Sequence, residues 1–158
     1  MGSTSDKGAA IMDEDRFWSI IAQSRARVDP GEVSDSDEFC EAQSENLKEI
    51  LAELSPEEII AYDARFSDLS QKAYRWDLWG AAYWPHGGCS DDGFIDFRSC
   101  LISLISLGKE LYYQILNDPD SLADVDGRPD VPYMQSEGFQ YLAREVYEEK
   151  TGERHAVR

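Results

Sequence analysis

Basic residues are scarce in this sequence, and so are cysteine and long apolar runs. The 158 residues include 15 Lys and Arg against 32 Asp and Glu, which gives a formal net charge of −17. This balance argues against binding to nucleic acid or to anionic lipid, because both require Lys and Arg to contact phosphate. It favours a basic protein or a cationic small molecule as the partner, although most acidic surfaces are simply solvated.

Cysteine occurs three times, at Cys40, Cys89 and Cys100, and no two of these form a Cys-x-x-Cys motif. So small and odd a set predicts a reducing compartment without a disulfide framework. We recognise no signal peptide, and no apolar run approaches the length of about 18 residues that a membrane span needs. We therefore expect a cytoplasmic protein that does not contact a membrane.

The fold is predicted to be all-α, a single-domain irregular or orthogonal bundle of about six helices. Hydrophobic residues make up 42% of the chain, enough for a packed core. They recur at helical spacing, and no segment shows the strict alternation of a half-buried strand. We predict one domain over residues 12–152, preceded by a flexible lead or cloning remnant at 1–11 and followed by a frayed tail at 153–158.

Three helices are predicted before residue 73. The first spans about 13–28, the second follows an acidic link at 34–37 and ends near Leu54, and the third continues to about Lys72. The third has the clearest start, because Ser55 can cap it, Pro56 suits its first position and Glu58 completes a capping box. In the second helix Cys40 is expected in the core, whereas the Glu, Gln, Asn and Lys side chains are expected to face water.

Three further helices are predicted after residue 73. The fourth carries the tryptophan-rich run 74–84 and ends at Pro85. The fifth begins near Ser90 and continues through Gly108 to about Asn117, following a near-heptad apolar repeat. Its doubled Leu-Ile-Ser triplet, at 101–106, leaves the helical register open. The last helix spans about 136–150, with Gly152 at its C-cap.

A ligand site is predicted where the fourth helix meets the following turn. Aromatic faces and carboxylates together suit a cationic or aromatic ligand. The side chains that would line this cleft are Trp76, Trp79, Tyr83, Trp84, Asp91 and Asp92.

The same turn offers candidate catalytic residues, His86 and Cys89. Cys89 would precede a helix N-terminus, which stabilises a thiolate, and His86 would act as the base. Asp91 and Asp92 oppose such a thiolate. They are also weak candidates, with Asp77, for binding a divalent metal. Turn formation, capping and core packing explain the same residues without any chemistry, so no metal or cofactor is expected.

Several runs in the sequence match the pattern of one family. They are YRWDLWGAAY at 74–83, GGCSDDGFIDFR at 87–98 and LGKE at 107–110, with DEDRFWSII, LSPEEI and YLAREVYEEKTG on either side. In these runs the chain resembles a bacterial family known as domain of unknown function 4240. The resemblance covers nearly the whole chain and implies a helical domain without an established activity. It assigns no catalytic residue, and the doubled Leu-Ile-Ser triplet departs from the family pattern.

These observations lead to three hypotheses about function. The first is a binding or regulatory module that engages a basic partner or a small cationic or aromatic ligand. The second is a small hydrolase or transferase that uses Cys89 and His86, or a divalent metal on Asp91 and Asp92. The third is a protein that mimics nucleic acid through its acidic surface. The oligomeric state is left open by the sequence.

Overall fold

The computed structural model describes residues 10–73, 104–121, 124 and 137–154. Within these residues all regular structure is helical, and the prediction of an all-α fold is confirmed. The described α-helices are α1 (Glu14–Ala26), α2 (Ser36–Ala52), α3 (Pro56–Lys72), α4 (Lys109–Asn117) and α5 (Leu142–Thr151). Two 3₁₀ helices, Pro119–Ser121 and Glu137–Tyr141, follow α4 and precede α5.

The ends of the first three helices are set by their own sequence. The side chain of Asp13 caps α1 by accepting a hydrogen bond from the Arg16 amide. At α3 the Ser55 hydroxyl accepts from the Glu58 amide at 3.2 Å, and Pro56 takes the first helical position. The predicted cap of the third helix is confirmed, as is its predicted end at Lys72. Such caps satisfy amide groups that have no partner inside the helix.

The core lies where α1 packs on α2, and where α2 and α3 both pack on α5. Its centre is aromatic: the rings of Phe17 and Tyr62 stack with centroids 4.9 Å apart, and Phe66 lies beside both. Burying such a side chain stabilises the fold by about 1.5–3 kcal/mol. The apolar positions predicted for α1 and α3 are all buried: Phe17, Ile20, Ile21, Val28, Ile59, Tyr62, Phe66 and Leu69.

The residues before α1 lie along α3. The Met12 amide donates to the Ala61 carbonyl at 3.0 Å, and the Met12 carbonyl accepts from Arg65 Nε at 2.8 Å. The Met12 side chain is buried in the core. This arrangement fixes the start of α1 against the middle of α3.

The prediction of one continuous fifth helix is wrong. Residues 104–106 are helical, but the helix is interrupted at Gly108, whose φ of 98° lies outside the helical region. A new helix, α4, starts directly afterwards, and the Gly108 carbonyl accepts its first hydrogen bond from the Tyr112 amide. The last helix likewise starts as a 3₁₀ turn and becomes α-helical only at Leu142, although its predicted C-cap, Gly152, is confirmed with φ 74°.

Gln43 is a second correction. We expected the Gln side chains of α2 to face water, yet Gln43 is 1% exposed. It lies on the buried side of α2, where its amide donates hydrogen bonds to the Ser24 hydroxyl and to the Ser106 carbonyl. Cys40 is buried, as predicted.

The predicted fourth helix, at 74–84, lies outside the described residues. The first Leu-Ile-Ser triplet, at 101–103, and residues 1–9 of the proposed flexible lead also lie outside the described residues. The domain boundaries therefore stay predictions. No helix in the described part of the chain is long and apolar enough to cross a membrane.

Candidate functional site

The tryptophan-rich cleft and its turn lie outside the described residues, so they stay predictions. This applies to every residue proposed for ligand binding, catalysis or metal binding: Trp76, Asp77, Trp79, Tyr83, Trp84, His86, Cys89, Asp91 and Asp92. The candidate site that the structure does describe is on a different element, helix α2.

A first groove runs between the N-terminal half of α2 and the 3₁₀ helix that precedes α5. It holds about 510 Å³ and is open to solvent. Phe139 and Cys40 contribute its apolar part, and Gly138 leaves it open because a Cβ there would have no atom within 4 Å. The lining residues are Asp37, Cys40, Glu41, Ser44, Glu45, Gly138 and Phe139.

A second groove runs between α2 and the end of α1, and it holds about 330 Å³. Two of its carboxylates, Glu41 and Glu45, also line the first groove. They therefore form a ridge that separates two adjacent depressions. The residues lining the second groove are Arg27, Val28, Asp29, Glu32, Val33, Glu38, Glu41, Ala42, Glu45 and Asn46.

The two grooves carry strongly unbalanced charge. Among the described residues, six carboxylate side chains line them, from Asp29, Glu32, Asp37, Glu38, Glu41 and Glu45, and Arg27 is the one cationic side chain. All six carboxylate residues are exposed. Among the described residues, no Lys or Arg forms an ion pair with Glu41 or Glu45. The described lining of the two grooves thus carries an excess of negative charge along α2.

Local helix chemistry explains part of this surface. Asp35 caps α2 by accepting from the Asp37 and Glu38 amides, both at 3.0 Å. Asp37 and Glu38 occupy the first turn, where the helix dipole favours negative charge. Glu41 and Glu45 lie beyond that turn. As a like-charge pair at i, i+4 they cost about 0.2–0.5 kcal/mol, so helix stability does not account for them.

The acidic residues do not form a metal centre in the part of the chain that the structure covers. No group of three His, Cys, Asp or Glu side chains there is arranged to hold a metal ion. The carboxylates are instead spread along the helix.

A second polar cluster joins α1 to α4, and its residues line neither groove. The Glu14 carboxylate accepts hydrogen bonds from the Tyr113 hydroxyl and, at 3.1 Å, from Trp18 Nε1. The bond from Tyr113 is the main reason that the pKa of Glu14 lies below its ordinary value. Burial, with the same hydrogen bond, raises the pKa of Tyr113 to about 12. Near neutral pH the pair is therefore a fixed carboxylate–phenol contact that holds two helices together.

Sequence reasoning did not identify the grooves, because it assigned the acidic residues of α2 to an ordinary solvated face. The sequence does contain one signal: acidic residues recur at every fourth position, at Asp37, Glu41 and Glu45, and no Lys or Arg occupies a position of this repeat. That spacing places them on one side of a helix.

The comparisons with known proteins identify a family and no characterised relative. No curated protein and no solved structure matches the chain. The family model described as "Protein of unknown function (DUF4240)" matches residues 12–149, which confirms the resemblance seen in the sequence. Because that match covers most of the 158 residues, the chain belongs to the DUF4240 family.

Proposed function

We propose that this protein is a binding module that engages a basic segment of a partner protein along helix α2. The observation that supports this function most strongly is the pair of adjacent grooves that share Glu41 and Glu45. Of the lining residues that the structure describes, six are carboxylates and one is a cation, so a segment with several Lys or Arg side chains complements them in charge.

The shape of the grooves favours a protein segment over a small molecule. Small-molecule sites are typically enclosed and mostly apolar, with volumes of roughly 300–1,000 Å³. These grooves fall in that range of volume, at about 510 and 330 Å³, but they are open and rimmed with carboxylates. A segment that crosses the Glu41–Glu45 ridge can place basic side chains in both depressions.

The charge of the whole chain supports the same function. A formal net charge of −17 attracts a basic partner over a distance and raises the rate of encounter. Since exposed charges are screened over about 8 Å at physiological salt, we expect binding to weaken steeply as salt increases. A cytoplasmic location is part of this proposal, and the scarcity of cysteine supports it.

The test is calorimetric titration of an octalysine peptide into the full chain and into two double variants. In the first variant, Glu41→Gln with Glu45→Gln, we expect affinity to fall about fivefold to tenfold, since exposed charge pairs contribute about 0.2–1 kcal/mol each. The second variant, Glu53→Gln with Glu57→Gln, is the matched control. It removes two exposed carboxylates that line neither groove and that form no ion pair with the described residues, and it changes the net charge equally.

Amide chemical-shift mapping then locates the peptide. We expect the shifted amides to fall in residues 28–46 and 138–139. An equal loss of affinity in both double variants would mean that only net charge matters, and the proposed surface on α2 would be wrong. The enzymatic hypothesis concerns residues outside the described part of the chain, and the nucleic-acid-mimic hypothesis concerns the spacing of carboxylates over the whole acidic surface. Both stay predictions.

A further inference from the structure

Gly138 is a glycine that the described fold does not require. Glycine is usually needed where φ is positive or where a Cβ would collide with a neighbour. Among the described residues only Gly108 and Gly152 have a positive φ, and a Cβ at position 138 would meet no atom within 4 Å. Gly138 also lies inside a 3₁₀ helix, Glu137–Tyr141, where glycine lowers stability relative to alanine. The fold would therefore accept a side chain at this position.

The first groove supplies a different reason for this glycine. Gly138 is exposed and lines that groove beside Phe139. Phe139 and Cys40 are 2% and 7% exposed, so they form a closed floor under the groove. Glycine also serves where the main chain approaches a ligand closely. A ligand in the first groove would thus lie on this floor, with the main chain of Gly138 at its side.

The charged side of the first groove consists of three carboxylates, from Asp37, Glu41 and Glu45. Within the described residues, none of these side chains accepts a hydrogen bond or forms an ion pair. Glu38 in the second groove differs, because it accepts from the Ser34 amide and hydroxyl at 2.7 and 2.9 Å. The first groove therefore combines a floor with carboxylates that remain available to a ligand.

This combination matches the two parts of a long basic side chain. Lys and Arg place their aliphatic stem along a surface and keep the charged head in contact with water or with opposite charge. The floor of the first groove suits the stem, and the carboxylates suit the head.

We propose that Gly138 determines the specificity of the first groove by leaving room for the stem of one Lys or Arg side chain of the partner. The inference rests on the proposed function, because this side chain belongs to the basic segment that binds along α2. The stem lies over Phe139 and Cys40, and the head lies at Glu41 and Glu45. A side chain at position 138 takes the space of the stem.

The first groove then recognises the length of the stem as well as the charge. Carboxylates alone accept any cation of equal charge. Ornithine carries the same charge as lysine on a stem that is one CH₂ group shorter. Complete burial of one CH₂ group changes an affinity about fourfold. Because the groove is open, we expect lysine to be preferred over ornithine by about twofold to fourfold.

Calorimetric titration of octalysine and octaornithine into the full chain tests this inference. We expect the parent to bind octalysine more tightly by that factor. In Gly138→Leu we expect the affinity for octalysine to fall about fivefold, since one charge pair is lost together with the stem contact, and the ratio of the two affinities to approach one.

Ser67→Leu is the matched control. Ser67 is exposed on α3 and lines neither groove, so this variant should keep the parent's affinities and their ratio. Urea denaturation checks that the variants are folded, and we expect Gly138→Leu to be no less stable than the parent. If it is less stable, Gly138→Ala takes its place, with a smaller decrease in affinity and in the ratio.

The outcomes separate this inference from the proposed function. Equal affinity of the parent for the two peptides overturns recognition of the stem and leaves the binding function intact. A folded Gly138→Leu that binds octalysine as the parent does, or that keeps the parent's ratio, overturns the role of Gly138. Failure of octalysine to bind the parent overturns the proposed function and this inference with it.

Discussion

The hydroxyl of Tyr113 donates a hydrogen bond to the carboxylate of Glu14, across 99 positions of sequence. The bond joins the first turn of α1 to the middle of α4, and Trp18 donates to the same carboxylate. Since Lys72 and Arg65 on α3 also lower the pKa of Glu14, three helices stabilise this one negative charge.

Replacing Tyr113 by Phe removes the bond but keeps the ring. Hydrogen bonds to charged groups contribute about 1.5–3 kcal/mol. The hydroxyl here is only partly buried, so we expect the free energy of unfolding at pH 7 to fall by about 1–2 kcal/mol. Urea denaturation measures the difference. Tyr141→Phe is the matched control, because Tyr141 is 40% exposed, and its loss of a hydroxyl should change stability by less than about 0.5 kcal/mol.

The effect of Tyr113→Phe should also depend on pH. The folded-state pKa of Glu14 lies below the ordinary value of 4.5, so its contribution is fully present above that value. The contribution is lost as pH falls through the folded-state pKa, where Glu14 becomes protonated in both states. We therefore expect the stability gap between the parent and Tyr113→Phe to narrow below pH 4.5. A gap that stays constant down to acid denaturation would contradict a role for the ionised carboxylate.

Gly108 and Gly138 form a matched pair for a prediction about backbone strain. A Cβ at either position would meet no atom within 4 Å, but only Gly108 has a positive φ, at 98°. With ψ at 170°, Gly108 lies in a region that is nearly exclusive to glycine. We expect Gly108→Ala to cost about 1–3 kcal/mol in the free energy of unfolding.

Gly138→Ala should instead be neutral or stabilise by up to about 1 kcal/mol, since it reduces the freedom of the unfolded chain. Thermal unfolding of both variants, monitored by circular dichroism, gives the comparison. Equal effects at the two positions would show that the break before α4 does not depend on the backbone conformation of Gly108.

The first three helices could be predicted from sequence because local chemistry fixes their ends. For α3, Ser55, Pro56 and the acidic first turn specify the start, and the apolar repeat specifies the buried face. The predicted and observed helix both end at Lys72. For α1 the predicted span of 13–28 exceeds the observed Glu14–Ala26 by a residue at the start and two at the end, the usual uncertainty of a helix boundary.

The break before α4 could not be predicted in the same way. The apolar repeat continues across Gly108, so periodicity gives no sign of a break there. The break is stabilised by Gln43 and Arg25, which donate to the Ser106 carbonyl from 63 and 81 positions away. The sequence alone does not distinguish a buried polar residue with such distant partners from a surface residue. For this reason Gln43 was expected to face water.

The grooves, too, could be predicted only in part, because they depend both on the sequence of α2 and on residues distant from it in the chain. The acidic residues of α2 and their spacing are visible in the sequence. Their arrangement into depressions depends on Gly138 and Phe139 on one side of α2, and on the end of α1 on the other. The sequence therefore predicts a basic protein or a cationic small molecule as the partner and a site in the tryptophan-rich stretch, which stays a prediction, but it does not predict the grooves.

Removal of the α3 cap provides a prediction about local stability. In Ser55→Ala the Glu58 amide loses its acceptor, and the Glu58 carboxylate loses the hydrogen bond from the Ser55 hydroxyl. We expect a loss of about 1 kcal/mol in the free energy of unfolding. Ser67→Ala is the control within the same helix: Ser67 is exposed and internal, where Ala has the higher helix propensity. A cap role requires Ser55→Ala to be the more destabilising of the two in urea denaturation.

Gln43→Leu tests whether the buried amide stabilises the fold or only occupies space in it. Leu has nearly the volume of Gln and fits a buried position, but it cannot donate to the Ser106 carbonyl or the Ser24 hydroxyl. Arg25 still donates to that carbonyl, which limits the loss, so we expect a decrease of about 1–3 kcal/mol in the free energy of unfolding.

Gln23→Leu on α1 makes the same chemical change at an exposed position, and its effect should stay within about 0.5 kcal/mol. Chemical denaturation of the parent and both variants measures these differences. If Gln43→Leu were as stable as the parent, apolar packing would fully replace the hydrogen bonds that Gln43 donates, and those bonds would have no net energetic role. If instead it is destabilised while Gln23→Leu is not, the loss belongs to the two buried hydrogen bonds of Gln43 and not to the loss of an amide from a helix.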